Sequence, residues 1–353
     1  MSARPLLGVF VSETLDMDAV FGAAFRSECS DVENWTHSIV HEPAGVDFSV
    51  AWRPPVEGFR SYTNLKLVAS IAAGTDNIFA CPILRPGVPV VRVRDPEQAR
   101  IASVFVLGHV INRRRRFDRF QAQQRARVWL RHYQPAASET FVGVLGLGHI
   151  GRQIASDIAC LGFRTLGFRQ SADGPPLAGV ECVSAAADLG RVLGQCDTVI
   201  CALPLTPATR HSMNRAFFEQ MKPDSYLIHV GRGERLVEAN LLEALDKGRP
   251  ARAALDVFDC KMLPVDYPFW TDPRILVTPH DVADVRRRYA ATTGIAEARR
   301  ALAGEQLLYL VDPSRGYWTV LQTDDKWRRS EDRMSCLRDF HVANSLREVQ
   351  VIW

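Results

Sequence analysis

One stretch limits what this chain can fold into more than any other: residues 141–171, FVGVLGLGHIGRQIASDIACLGFRTLGFRQS. It opens with an apolar run of strand type and turns through Gly146-Leu147-Gly148-His149-Ile150-Gly151. Ile150, Ile154, Ile158 and Leu161 then recur at spacings of three and four, which puts one apolar stripe on a helix. A second short strand follows at residues 165–168. Each glycine permits something that a side chain prevents: the first a tight turn, the second backbone approach to a pyrophosphate, the third close packing of helix on strand. The helix start offers unpaired N–H groups and the positive end of its dipole to phosphates. A glycine-rich turn alone is common. Inside a complete strand–turn–helix–strand unit it points to a dinucleotide.

The tip of the second strand is where the ribose is read. A unit specific for NAD carries Asp or Glu there, about 20 residues past the glycines, to bind the 2′-hydroxyl. This chain has Phe168-Arg169-Gln170-Ser171 and no carboxylate before Asp173. The guanidinium of Arg169 and the hydroxyl of Ser171 suit a 2′-phosphate, so NADPH is expected ahead of NADH. Arginine far outnumbers lysine among the 43 basic residues, so the plainer reading of Arg169 as a surface arginine stays open here.

At 353 residues the chain has room for two domains, each with its own core. A net charge of +3 does not by itself imply a nucleic-acid or membrane partner. The eight cysteines are scattered, without CxxC or metal spacing, and read as free thiols in a reducing compartment. No signal peptide is evident, because PLLGVFVS is short and runs into Glu13 and Asp16. The longest apolar stretch is far below a membrane span. A cytoplasmic protein is expected.

Strands are expected at residues 5–11, 48–52, 66–72 and 89–93, with a helix at 18–25, giving a small parallel sheet. Residues 96 to about 131 read as one long helical segment, apolar first and then basic. It has no interleaved aromatic set, so nucleic-acid binding is set aside in favour of a charged face between domains or subunits. Further strands at 198–202, 226–230, 253–257 and 275–277 bring the second sheet to six, the count of a doubly wound dinucleotide domain. Ligands of such sheets lie beyond the carboxyl ends of the strands. That singles out Leu203 and Pro204, Val230 and Gly231 with Arg232, Asp256, and His280. Residues 319–353 lack periodicity and receive no role.

Several motifs stand in order: AAGTDNI (72–78), VGVLGLGHIG (142–151), ALPLTPATR (202–210), HVGRGERLVEANLLEAL (229–245), ALDVF (254–258) and VTPH (277–280). LP…P.W (263–270), RGYW (315–318) and RRFD (115–118) accompany them. Over residues 5–318 this set resembles the D-2-hydroxyacid dehydrogenases, and within them the glyoxylate/hydroxypyruvate reductase branch. The resemblance implies an α/β fold of two Rossmann-like domains. One is a doubly wound parallel six-stranded cofactor domain (101–284), the other a smaller flavodoxin-like substrate domain (1–100 and 285–318). It also implies a homodimer.

By the same resemblance NADPH delivers hydride to the carbonyl carbon of a small 2-oxo acid. Arg232 matches the arginine that clamps the carboxylate, and a planar fork of donors suits that task. His280 matches the acid–base histidine. The amides of Ala73, Gly74 and Thr75 share the carboxylate, Trp52 and Arg53 fit substrate-pocket positions, and Asp256 meets the nicotinamide carboxamide. Gly146, Gly148, His149, Ile150, Gly151, Arg169, Ser171, Leu203, Pro204, Val230 and Gly231 complete the cofactor set. No metal is implied.

One departure reverses a charge. Where the family continues LDVF with a glutamate that pairs with the histidine, this chain has Lys261. A carboxylate beside an imidazole favours its charged form and an ammonium disfavours it. Lys261 in that place is expected to slow oxo-acid reduction at neutral pH. Asp259, two residues earlier, is the candidate substitute. Ser103-Val104-Phe105 replaces a Glu-Tyr pair, and His229-Val230-Gly231 replaces Asn-x-Ala. Two readings remain: an active NADPH-dependent reductase, or a dinucleotide-binding sensor or partner protein that has lost turnover.

Overall fold

Short runs of β-branched and apolar residues form the strands of two parallel sheets in the computed structural model. It describes residues 6–28, 32–36, 40–172, 174–184, 186–260 and 262–312. All belong to the first of the two units into which the chain divides, Met1–Trp318 and Thr319–Trp353. Lys261, Asp173, RGYW and the extension from residue 319 lie outside the described residues.

The first sheet contains β1 (Leu6–Val11), β2 (Val32–Thr36), β3 (Phe48–Ala51), β4 (Leu67–Ser70) and β5 (Val90–Val91), in the order β2-β1-β3-β4-β5. That is the order of flavodoxin-like sheets. Parallel strands covered on both faces read as continuous apolar runs, as LLGVFV and FSVA do. One face packs Phe10, Phe48 and Leu67 against Phe25 and against Ala291 and Ile295 of the helix Arg287–Ala303. The other packs Val9, Val11 and Val68 against Phe59, Tyr62 and Ile78. Each large side chain so buried contributes about 1.5–3 kcal/mol. The late helix thus returns to the first sheet.

The second sheet holds β6 (Phe141–Leu145), β7 (Arg164–Phe168), β8 (Val180–Val183), β9 (Thr198–Cys201), β10 (Tyr226–His229), β11 (Arg252–Leu255) and β12 (Ile275–Val277). Their order is β12-β11-β10-β9-β6-β7-β8. The chain reverses direction across the sheet at β6 and β9, which opens a crevice at their carboxyl ends. This sheet has seven strands, not the expected six. The strand missed is β8, VECV, a partly exposed edge whose four residues carry neither alternation nor a continuous apolar run. β2 also had no sequence signal.

The expected single helix from residue 96 to about 131 is two helices, Pro96–Arg115 and Phe117–Arg125. They break at Arg116, which is left-handed with φ 55°. Like charges three residues apart in the run 113–116 disfavour another turn, and no apolar residue there offers packing to offset them. The first of these helices lays Val106 and Val110 beside Ile154 and Ile158 of the helix His149–Cys160.

The chain passes between the two sheets at Asp95 and again at Arg286, and an ion pair between the buried Asp95 and the half-exposed Arg286 ties these crossings together. Asp95 is fully buried and caps the helix Pro96–Arg115 by accepting from Glu97 N–H at 2.9 Å. It also accepts from Arg286 Nη2 at 2.6 Å and Nε at 2.9 Å. Burial raises the Asp95 pKa, but the hydrogen bonds from Arg286 and Glu97 outweigh it and hold the carboxyl below its ordinary value. A carboxyl lowered on folding stabilises the fold above its unfolded pKa of about 3.9, and that stability is lost as pH falls through the folded value. Asp95→Asn is expected to cost about 1.5–3 kcal/mol at neutral pH, the range for hydrogen bonds to a charged group. Its Tm is also expected to fall less than the wild type's on acidification below about pH 4; equal acid losses in a melting series would contradict this.

Candidate active site

The carboxyl ends of β3 and β4 face those of β9 to β12 across a cleft of about 150 Å³. Trp52, Arg53 and Asp76 line it from one side, and Arg232, Glu234 and His280 from the other.

Arg232 follows β10 in the Gly231-Arg232-Gly233 turn. Its Nη1 donates to the Gly231 carbonyl at 2.9 Å, and its Nε donates to Asp76 Oδ1 at 3.1 Å. The guanidinium therefore spans the cleft. A Cβ placed on Gly74 would fall 1.7 Å from Arg232 Nη2, so this glycine is what admits the guanidinium. Ser70 holds the Gly74 loop, its Oγ donating to the Gly74 carbonyl at 3.0 Å and accepting from Ala72 N–H at 3.1 Å. No described residue accepts from the N–H groups of Ala73, Gly74 or Thr75. Arg92 lies behind them, its Nη1 donating to the Ala73 carbonyl at 3.4 Å, with burial and then Arg94 pushing its pKa down to about 10. Three amides and Arg92 thus stand at this end of the cleft beside the Arg232–Asp76 ion pair.

Arg53 is held by its backbone, whose N–H donates to Asn77 Oδ1 at 3.0 Å in a left-handed conformation with φ 44°. Trp52 N–H donates to the Val11 carbonyl at 3.0 Å, continuing the pairing of β3 with β1 to the edge of the cleft. Both side chains are part-exposed at the cleft.

His280 follows β12 in a left-handed conformation with φ 60°, its N–H donating to the Thr278 carbonyl at 3.0 Å. A histidine costs energy there unless its surroundings impose the shape. Asp256 does so. Its Oδ1 accepts from Thr278 Oγ1 at 2.6 Å and Asp281 N–H at 2.9 Å, and its Oδ2 from Val282 N–H at 3.2 Å. Burial pushes this carboxyl up, and those three hydrogen bonds pull against it. These bonds hold the turn that carries His280.

The glycine turn fits a dinucleotide. Gly146 has φ +99° and backs onto Leu203, and a Cβ on Gly151 would fall 1.8 Å from the Gly146 carbonyl oxygen. The Cβ direction of Gly148 is open for at least 4 Å, at the start of the helix His149–Cys160, where N–H groups await an anion. His149, beside it, is half-buried and contacts the Asp95 carbonyl through Nε2 at 2.9 Å. Ile150 packs against the core that Val106, Val144 and Ile154 share. Arg169 curls over its own loop, Nη1 to the Pro175 carbonyl and Nη2 to the Ala172 carbonyl, each at 3.0 Å, leaving Nε buried without a partner. Ser171 lies exposed two residues on. Val230 donates to the Cys201 carbonyl, and the Pro204 carbonyl accepts from Arg235.

Residues 107–281 match the family model of the D-isomer specific 2-hydroxyacid dehydrogenase, NAD binding domain. A glyoxylate/hydroxypyruvate reductase A of Serratia proteamaculans is 35% identical over 278 residues, 77% of this chain and 88% of that protein. The chain belongs to the D-isomer specific 2-hydroxyacid dehydrogenase family. The glyoxylate/hydroxypyruvate reductase A of Yersinia enterocolitica is 31% identical over 84% of this chain and 95% of its own length, which places the chain in that branch. Among solved structures, a family member from Xanthobacter autotrophicus Py2 in complex with NADPH and MES superposes with TM-score 0.83 at 35% identity. It covers 89% of this chain and 100% of its own. The NADPH-dependent glyoxylate/hydroxypyruvate reductase of Sinorhizobium meliloti, in complex with NADP and sulfate, gives 0.81 at 30% identity over 88% of this chain and 100% of its own. This family member is accordingly an NAD(P)-dependent oxidoreductase.

Two features of the cleft had no separate place in the sequence reading. Asp76 sits inside the loop AAGTDNI but was given no role of its own, and only the fold brings it to Arg232. Glu234 and Asp76 are the carboxylates lining the cleft, whereas Asp259 is exposed and is felt by Glu238, whose carboxyl it pushes up after burial does. Asp259 is not among the residues lining the cleft with His280. Gly74→Ala is expected to displace the Arg232 guanidinium and not the backbone, since the clash is with the end of a flexible side chain. It should cost about ten- to a hundredfold in kcat/KM with Tm little changed. A variant of full activity would contradict this match of loop to arginine.

Proposed function

We propose that this chain reduces glyoxylate to glycolate and hydroxypyruvate to D-glycerate, with NADPH as donor in preference to NADH. What carries the reading is one cleft lined by both Arg232 and His280, bordered by the open amides of residues 73–75. NADPH bound along the glycine turn supplies the hydride. Gly148 and the helix start behind it take the pyrophosphate; Arg169 and Ser171 take the 2′-phosphate, for which Arg169 Nε is the buried donor in place. Arg232 and the amides of Ala73, Gly74 and Thr75 hold the carboxylate, and the arginine also polarises the carbonyl. Trp52 and Arg53 wall the pocket. His280 gives its proton to the carbonyl oxygen, held at that point by the Asp256 turn.

Residues 1–100 and 285–318 form the substrate domain in this reading, and 101–284 the cofactor domain. The chain acts as a homodimer through the outer face of the helix Pro96–Arg115 and the segment after it. Val104 and Trp129 there are large apolar side chains left 69% and 98% exposed. Light scattering is expected to give twice the chain mass, and a mass equal to one chain would contradict the dimer.

Cofactor oxidation with glyoxylate, hydroxypyruvate and pyruvate, run with NADPH and NADH in parallel, tests the proposal. Turnover of the first two with NADPH supports it. Tight NADPH binding without turnover of any of the three supports the second reading, a sensor or partner protein, which the sign change at Lys261 favours. Lys261→Glu separates slow catalysis from none. It is expected to raise kcat at neutral pH several-fold and to extend activity to higher pH, because a carboxylate favours the protonated imidazole. An unchanged rate and pH profile would remove Lys261 from the account.

A further inference from the structure

Arg53 and Arg210 both line the cleft, and among the described residues neither guanidinium makes a hydrogen bond or an ion pair. The proposed reaction leaves Arg210 unused and asks of Arg53 only that it wall the pocket. Both backbones are nonetheless pinned. Arg53 is left-handed with φ 44°, held by Asn77 on its N–H and by Glu13, whose N–H donates to its carbonyl at 3.0 Å. A non-glycine residue in that shape is strained, and such residues gather at ligand clamps. Arg210 belongs to the loop after β9, where its N–H donates to the Thr206 carbonyl at 3.0 Å. Arg235, 3% exposed, staples this loop to the turn that carries Arg232. Its Nη1 donates to the Pro204 carbonyl and its Nη2 to Ser212 Oγ, each at 2.9 Å. On the same seam His211 N–H donates to the Glu234 carbonyl at 3.0 Å.

Strand order gives the two arginines matching places. In the first sheet β4 leads to the amides of residues 73–75, and its neighbour β3 leads to Arg53. In the second sheet β10 leads to Arg232, and its neighbour β9 leads into the Arg210 loop. Each arginine therefore follows the strand next to one that presents the carboxylate site, about 4.8 Å across. Charge agrees with position. Arg53, Arg210, Arg232 and the protonated His280 that reduction needs face Asp76 and Glu234, an excess of two positive charges in the described lining. Asp76 is taken by Arg232, and Glu234 makes no ion pair with Arg210. Glyoxylate balances one of the two charges. A dianion balances both.

We infer that the cleft is built for a 2-oxo acid with a second anionic group, a four-carbon 2-oxo dicarboxylate, whose far carboxylate Arg53 and Arg210 bind. Two carbons separate the carboxylates of such an acid, which spans about one strand spacing. The near carboxylate keeps Arg232 and the amides, and the reaction is unchanged. Hydride from NADPH adds to C2, NADP results, and the His280 proton goes to the carbonyl oxygen, giving a 2-hydroxy dicarboxylate. Arg53 and Arg210 set specificity.

The inference rests on Arg232 as the carboxylate clamp, and its test is a ratio. Oxaloacetate and 2-oxobutyrate share a four-carbon chain and differ in the far carboxylate. With NADPH, the wild type is expected to favour oxaloacetate at least about tenfold in kcat/KM. Arg53→Met and Arg210→Met are each expected to cut that ratio about threefold or more, and Arg210→Lys to keep most of it. Arg210→Glu is expected to reverse the preference. A substitution that only disturbs the fold lowers both substrates together and leaves the ratio alone. No preference in the wild type overturns the proposal, as does a ratio that both methionine variants retain. If Arg53→Met does not fold, the Arg210 series decides. Glyoxylate run in parallel separates this from the proposed function: its turnover without a preference for oxaloacetate keeps that function and overturns the inference. With no turnover of any of the three acids the proposed function fails. Calorimetric binding of malate against 2-hydroxybutyrate to the NADP-loaded chain then decides the inference, equal affinity overturning it.

Discussion

Arg232→Ala is expected to lower kcat/KM for glyoxylate about a thousandfold while leaving NADPH affinity within about twofold of the wild type. The guanidinium has two tasks in the account, to hold the carboxylate and to stabilise charge on the carbonyl oxygen. The first is felt in KM and the second in kcat, so both should worsen. Arg232→Lys keeps the charge but not the fork, and should recover no more than about tenfold of the loss. Asp76 holds the Nε edge at 3.1 Å, which leaves Nη2, the atom pressed against Gly74, as the edge nearest the amide loop. Steady-state kinetics with a parallel cofactor titration read all of this. An Arg232→Ala protein within tenfold of wild type would place the carboxylate elsewhere.

Loss of the imidazole should cost nearly as much. His280→Ala is expected to reduce kcat by about 10²–10⁴, the usual range for removing a general acid. The shape of the pH profile distinguishes this from a collapsed cleft. Reduction needs the protonated imidazole, so the wild-type rate should fall as pH rises through the histidine's pKa, and the variant's residual rate should lack that limb. Asp256→Asn offers a comparison, because its carboxylate holds the same turn. It should loosen the Thr278–Val282 bonds and lower kcat, but keep the limb.

Much of this arrangement was legible in the sequence, for an identifiable reason. The glycine unit carries turn, helix start and strand in one local stretch, so residues 141–168 could be read without knowing their neighbours. The strand ends that present Arg232 and His280 followed from the rule that ligands sit beyond the carboxyl ends of parallel strands. What stayed hidden depended on distant contacts or on weak patterns. VECV forms β8 only because β7 offers it an edge. The break at Arg116 comes from charge crowding inside a pattern otherwise suited to a helix. Asp76 and Arg232 are far apart in the chain, and nothing in AAGTDNI marks its aspartate as the partner of a particular arginine. Asp259 had a sequence argument as a stand-in carboxylate, and its exposed position beside Glu238 leaves that argument without support.

The most direct test of the central claim follows the hydride itself. The wild-type chain is incubated with hydroxypyruvate and NADPH deuterated at the transferring face of the nicotinamide, and the product is analysed for isotope and configuration. The account predicts D-glycerate with one deuterium at C2, at a rate that Arg232→Ala and His280→Ala both suppress. Unlabelled or L-configured glycerate, or no glycerate from a protein that binds NADPH, would contradict it.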